Sequence, residues 1–518
     1  FELTPSSACG PGRCRRRRSL VSGPMLAAAL LIALLRFGAA ADSSAADSYA
    51  FWSSDFHISP IHDLTLLFRD LGMRVADESL SGHCHLTGTC AKGLKVLNKQ
   101  NGINLGPCPN ALRRQFFQAY KADARMRAID AFVCQHAAAL CEVFMPFGKP
   151  LIVIASTRYE IGRHDPARWQ RWNANLRRIA ADPRNVVAAN NLYDAKYVEY
   201  FTGLSVEVIP NWCGYASFPP QPRLRSKHVI IAPGGRSPPK ELHRRLKGMP
   251  GPFKFSTISE LYPGRFEYAQ LAQHPAILLI PYQVSVMSLF EYYRMNVPIF
   301  APSPELLVNW HKKFNLLKER TWFGVYNRPR RSSPLPKHPD ATDELFRHDP
   351  NNDVDREAMA KWLQLSDFYQ WPHITIFHSL DDAVQKLQSA DLDGISRLME
   401  VENARVKASI LDQWQGIFQR MFAAPAAPVD LGYDAAMRAH YGVSVSQDCH
   451  GERDVASRRL TDAGNGTAAV YTAPGAAAGN ATPKRIFSRG FNGSEYTREP
   501  LLSRAQSDGR ADAKRARR

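Results

Sequence analysis

Ile280-Pro-Tyr-Gln-Val-Ser-Val-Met-Ser-Leu-Phe-Glu291, followed by Tyr292-Tyr-Arg-Met-Asn-Val-Pro-Ile-Phe300, decides the reading of this chain. The run Ala276–Pro281 is apolar and short, as a buried strand is. A Ser-capped helix is expected from about Ser285 to Met295, with Glu291 two turns in. Val297–Ala301 is then a second strand. A strand, a small-residue loop, a helix and a strand in so few residues make a parallel, helix-flanked sheet.

The same alternation extends upstream in this half. His228–Ala232 is a strand that runs into Pro233-Gly234-Gly235-Arg236, and Lys240–Leu246 is a helix. Glycines between a strand and a helix free backbone N–H groups to approach an anion, and the helix dipole favours negative charge there. Arg236 and Lys240 are placed to reach a diphosphate; the plain alternative is a Gly-rich turn with two solvated bases. Lys254–Ser256, Tyr268–His274 and Ile374–Phe377 continue the pattern. Asn352–Leu365 and Leu380–Phe422 read as helical, and basic, Pro-rich 328–340 as an exposed insertion.

The first half alternates likewise. Strands are expected at Tyr49–Trp52, Met73–Ala76, Ala131–Cys134, Pro150–Ala155, Asn185–Ala189 and Val206–Ile209. Helices are expected from Pro60, over Leu112–Asp130, from Cys134 to Phe147, and over Asp194–Phe201. Residues 217–227 are a Pro-rich linker. The organisation is therefore a leader at 1–41, a first α/β domain at 42–216, a second at 228–378, helices at 379–424 that pack back, and a largely disordered tail at 425–518.

Composition bounds the function. The chain has 518 residues and a net charge of +18. Residues 1–41 hold +5 of that and 451–518 hold +6, leaving +7 for the long middle. The excess sits in the tails, so a basic groove for nucleic acid is not implied. Arg13 and Arg15 to Arg18, the apolar run Met25–Leu35 and Ala39 to Ala41 follow the order of a secretory signal. The run is too short for a spanning helix, although a signal anchor or a buried helix is compatible with it. The expected location is the endoplasmic reticulum or Golgi lumen, with membrane association through the N-terminal segment if it is retained. Sequons at Asn465, Asn480 and Asn492 and seven cysteines beyond the leader fit such a lumen. A bridge among Cys84, Cys90 and Cys108 is expected. His83, Cys84, His85 and Cys90 match no zinc spacing, so no metal site is assigned.

The stretch 280–300, with Gly235-Arg236 and Lys240 before it, resembles the donor-nucleotide motif of GT-B glycosyltransferases. The resemblance implies two facing Rossmann-like domains, with a last helix crossing back to the first. It places the ribose of a nucleotide sugar on Glu291 and its diphosphate at the backbone near Ser285 to Ser288. Gly234, Gly235, Arg236 and Lys240 would neutralise the leaving nucleoside diphosphate, so neither metal nor other cofactor is required. A second glutamate that many retaining members carry seven residues earlier is Val284 here. Asp130-Ala-Phe-Val-Cys-Gln-His136 resembles the acceptor side, with His136 at a strand end. His57, in Ser54-Asp55-Phe56-His57, is a second candidate base and Asp55 a third. Asn190-Asn191-Leu-Tyr-Asp194 lines the same kind of loop, with a helix cap by Asp194 as its ordinary role. The Asp367–His373 aromatic cluster reads as core. An exostosin-like or fucosyltransferase-like relative shares the two facing sheets. The implied partners are a nucleotide-sugar donor and a glycan, glycoprotein or glycolipid acceptor. The alternative is a non-catalytic carbohydrate-binding or scaffold protein on the same fold.

Overall fold

The computed structural model describes residues 49–104, 109–156, 159–160, 165–220, 226–233, 238–264, 266–317, 319–325, 328–423 and 431–442. The leader, the sequons, Cys108 and Gly234 to Arg236 lie outside them. Among the described residues no helix is long and apolar enough to cross a membrane.

Two parallel sheets carry the fold. The first contains β1 (Ala50–Ser53), β2 (Arg74–Asp77), β3 (Ala131–Cys134), β4 (Leu151–Ala155), β5 (Val186–Ala189) and β6 (Glu207–Val208), in the order β2-β1-β3-β4-β5-β6. The second contains β7 (His228–Ala232), β8 (Lys254–Thr257), β9 (Ile277–Leu279), β10 (Ile299–Pro302) and β11 (Thr375–Phe377), in the order β11-β10-β9-β7-β8. Every pairing is parallel. The central strands β3, β4 and β9 are buried throughout, as sheets covered by helices on both faces require.

The longer helices are α1 (Ile58–Asp70), α2 (Asn110–Tyr120), α3 (Pro166–Ala181), α4 (Leu192–Thr202), α5 (Lys240–Lys247), α6 (Met287–Arg294), α7 (Pro304–Phe314), α8 (Arg356–Leu363), α9 (Leu380–Ser389), α10 (Leu392–Phe422) and α11 (Tyr433–Tyr441). Several start where the local chemistry dictates. Asp165 caps α3 and Ser303 caps α7, each followed by proline at the first helical position. Gly203, at φ 70°, ends α4 in the left-handed conformation.

Three expected helices differ. Leu112–Asp130 is broken in two, because Asp123 caps a new short helix by accepting from the N–H groups of Arg125 and Met126. Between Cys134 and Phe147 the chain forms 3₁₀ turns, Ala138–Val143 and Met145–Phe147, rather than an α-helix. Pro146 lacks an N–H there, and a Cys134–Cys141 disulfide closes the segment over a separation of seven residues. Helix α6 begins at Met287, so Ser285 is not its cap; Val286 holds that position without a side-chain bond. The tail from 425 lies mostly outside the described residues, but α11 within it is docked. Tyr433 donates to Asn110, and Arg114 pairs with Asp434.

Apolar side chains fill both faces of each sheet. Phe51, Phe68, Ile152 and Ile154 of the first sheet and α1 meet Trp414, Ile417, Phe418 and Met421 from the last half of α10. The first half of α10 belongs to the second lobe, where Asn403 donates to the Tyr293 carbonyl and Ser396 to that of Asn296. The last long helix thus crosses back as expected. Trp371 packs edge-on against Phe290 and Tyr293 and Phe368 is buried, so the aromatic residues of the 367–373 cluster pack on the core, while Gln370 and Pro372 are exposed.

Candidate functional site

In the first sheet the chain leaves β1 for β2 on one side and returns to β3 on the other. The carboxyl ends of β1 and β3 therefore flank a switch point, the usual crevice of a doubly wound sheet. Asp55 and His57 follow β1; Gln135 and His136 follow β3. The structure brings them together. Asp55 Oδ2 accepts the backbone N–H groups of Gln135 and His136, both at 2.9 Å. Its Oδ1 accepts that of His57 at 3.1 Å. The rings of His57 and His136 stand 5.4 Å apart, edge to face. His57 is exposed and His136 half-buried.

Asp55 itself is buried, which pushes its pKa up against the opposing pull of His136 and the three N–H bonds. Its geometry is that of a clasp for both histidine-bearing loops. Asp77, at the end of neighbouring β2, is raised to about 7 by burial and then by the charge of Asp55. Two carboxyl groups raised by burial, Asp55 and Asp77, thus sit at this switch point beside the loops that carry the two imidazoles. Cys134, the residue before Gln135, ties this loop to Cys141.

In the second sheet the switch point lies between β7 and β9. Gly234, Gly235 and Arg236 follow β7 and are outside the described residues. Lys240 is exposed as the first residue of α5. The loop after β9 carries Ser285, whose hydroxyl donates to buried Asp367. Burial raises Asp367 to about 8, a bond from Ser285 works against that, and the charge of Asp194 from the first lobe adds to it. Ser288 is half-buried in the first turn of α6. Glu291 is only 2% exposed. Its Oε1 accepts from the hydroxyls of Tyr215 and Tyr268, each at 3.0 Å. The residue expected at the ribose is therefore closed over by two phenols.

Asp194 is not a cap. Asn191 caps α4 through the Asp194 N–H and donates its own amide to the Asp194 carboxylate. Cys84 and Cys90 are joined in a disulfide, which takes both thiols out of any ligand set with His83 and His85.

Local sequence reading missed the strap between the lobes. Asp63, buried in α1, accepts the backbone N–H of Trp212 at 2.7 Å and of Cys213 at 2.6 Å. Burial pushes Asp63 up to about 6, opposed by those bonds and by Arg294. Arg294, at the end of α6, donates Nε to the Trp212 carbonyl at 2.9 Å, its guanidinium 4.6 Å from the indole. The one available signal was an arginine set among the aromatic residues of an otherwise apolar helix end. Beside this strap lies a cavity of about 510 Å³, bordered by Arg69, Tyr215, Glu400 and Lys407.

No family model matches the chain. No curated protein matches it in sequence. Among solved structures, it is similar to the glycosyltransferase SnogD from Streptomyces nogalater at 14% identity and a TM-score of 0.28, over 49% of this chain and 82% of that one. It is similar to the glycotransferase of kitacinnamycin at 14% identity and a TM-score of 0.32, over 78% of this chain and 99% of that one. Likeness at that level says nothing about ligands or chemistry. The resemblance to the GT-B architecture rests on the molecule's own two parallel sheets, the strap between them and the helix that returns from the second lobe to the first.

Proposed function

We propose that the chain is a glycosyltransferase of the secretory pathway, moving a sugar from a nucleotide-sugar donor to a hydroxyl of a glycan, glycoprotein or glycolipid. The observation that carries this reading is the first-sheet switch point, where Asp55 holds His57 and His136 side by side. In this scheme neutral His136 accepts the acceptor hydroxyl's proton as its oxygen attacks the anomeric carbon. The bond from that carbon to phosphate breaks, and its electron pair leaves with the nucleoside diphosphate. Asp55 beside it favours the imidazolium that forms. His57 meets the acceptor. On the donor side Glu291 takes the ribose, and Arg236, Lys240 and the backbone near Ser285 to Ser288 take the diphosphate without a metal. The Cys84–Cys90 and Cys134–Cys141 disulfides support an oxidising lumen.

The closed state of Glu291 favours a second reading, a non-catalytic carbohydrate-binding protein on this fold. One experiment separates them. UDP, GDP, ADP and CDP are each tested for thermal stabilisation of the full chain, and the matching nucleotide sugars for slow hydrolysis. Stabilisation by one nucleotide with turnover of its sugars supports the transferase. Silence with every nucleotide, alongside stabilisation by free oligosaccharides, overturns it.

A further inference from the structure

The strap Asn211–Ala216 is gripped from both lobes. The first lobe holds it through Asp63, which binds two of its N–H groups and the Asn211 side chain. The second holds it through Arg294, bonded to the Trp212 carbonyl and lying over the indole. Three residues further on, Tyr215 reaches the same helix one turn earlier and donates to Glu291. Tyr268 donates to the same oxygen, and the two phenol rings are 5.7 Å apart. The carboxylate assigned to a ribose is thus already engaged by a hydroxyl that belongs to the interlobe connection.

We propose that Tyr215 is a donor-site residue that competes with the nucleotide for Glu291, so that nucleotide binding loosens the strap's hold on the second lobe. The inference rests on the transferase reading. Its physical content is an exchange of like for like. Ribose offers hydroxyl donors to a carboxylate, as the phenols do, so replacing the phenols leaves no acceptor unpaired. What changes is the tether. With Tyr215 displaced, the strap keeps Asp63 and Arg294 but loses its contact nearest the donor site. Occupancy of that site and freedom of the strap are then linked, and linkage acts in both directions. A change that loosens Tyr215 must tighten the nucleotide.

The test uses Tyr215→Phe, which keeps the ring and removes only the hydroxyl. Binding of UDP, GDP, ADP and CDP to the full chain is measured by calorimetry, and hydrogen exchange of the Trp212–Ala216 amides is followed with and without the nucleotide that binds. The expected result is a nucleotide Kd lowered by about fivefold or more in Tyr215→Phe. In the wild type, nucleotide should accelerate exchange across the strap. A wild type that binds nucleotide, with Tyr215→Phe binding equally or more weakly, overturns this inference and leaves the transferase reading standing. Absence of nucleotide binding in both proteins overturns the two together. Tyr268→Phe, which keeps the ring beside Tyr215 and removes only its own bond to Glu291, should tighten binding without altering strap exchange in the free protein.

Discussion

The carboxylate of Asp55 and the backbone N–H of His136 lie 2.9 Å apart, although 81 residues separate them in the chain. The bond crosses from the end of β1 to the end of β3. It makes the position of one histidine depend on the loop that carries the other. Removing the acceptor strands three N–H groups, of Gln135, His136 and His57. Asp55→Ala should therefore destabilise the protein by about 3 kcal/mol or more, read from denaturant unfolding. Asp55→Asn, which keeps one acceptor oxygen, should cost less. An Asp55→Ala variant as stable as the wild type would remove the clasp and restore Asp55 as a candidate base.

His136 is expected to carry transfer and not donor binding. His136→Asn should lower turnover of the nucleotide sugar by about 10²- to 10⁴-fold. Thermal stabilisation by the matching nucleoside diphosphate should be unchanged, because that site belongs to the second sheet. Equal loss of both would place His136 in a purely structural role.

The Cys134–Cys141 bridge closes a short segment that carries His136. Replacing both cysteines by serine should cost about 2–3 kcal/mol, the chain-entropy value for a loop of this length. The larger effect is expected at the site. Labelling of His136 by diethylpyrocarbonate, followed by mass spectrometry, should become faster in the variant at a temperature where it is still folded. An unchanged labelling rate would show that the bridge does not hold the loop.

Asp367 gives a dependence on pH with a definite sign. Burial raises its carboxyl from 3.8 to about 8, so the folded protein keeps a proton that the unfolded chain has lost. Over that window the native state binds more protons, and stability falls as pH rises, by at most about 1.4 kcal/mol per pH unit. Asp367→Asn keeps an acceptor for Ser285 and removes the ionisation. Its melting temperature should exceed that of the wild type at pH 8, with the difference shrinking towards pH 4. A constant difference across this range would mean that Asp367 is ionised in the fold.

The sheets were legible because each central strand is a short apolar run between loop residues. Val229 to Ala232, Ile277 to Leu279 and Leu151 to Ala155 read directly as buried strands. The strand ends at Trp52, Cys134 and Pro281 located the loops that carry His57, His136 and Ser285. What was not legible depends on pairs far apart in the chain. Asp63 meets Trp212 across 149 residues, and Arg294 meets Asn403 across 109. No local period encodes such a contact. Glu291 shows the same boundary. Its place on α6 follows from spacing, whereas its closure by Tyr215 and Tyr268 depends on where a connection and another helix come to rest. The 3₁₀ turns after Cys134 escaped because the apolar run there reads as a helix, and no local period marks the Cys134–Cys141 bridge that closes it.

The 31-residue helix α10 is seated at one end against Tyr293 and Asn296 and at the other against Phe51 and Phe68. A continuous rod of that length spans roughly 45 Å and resists stretching. The two halves of the molecule are consequently held like pages on a common spine. Any gape of the mouth between them must come from swivelling about this spine, with the largest travel at the edge remote from it.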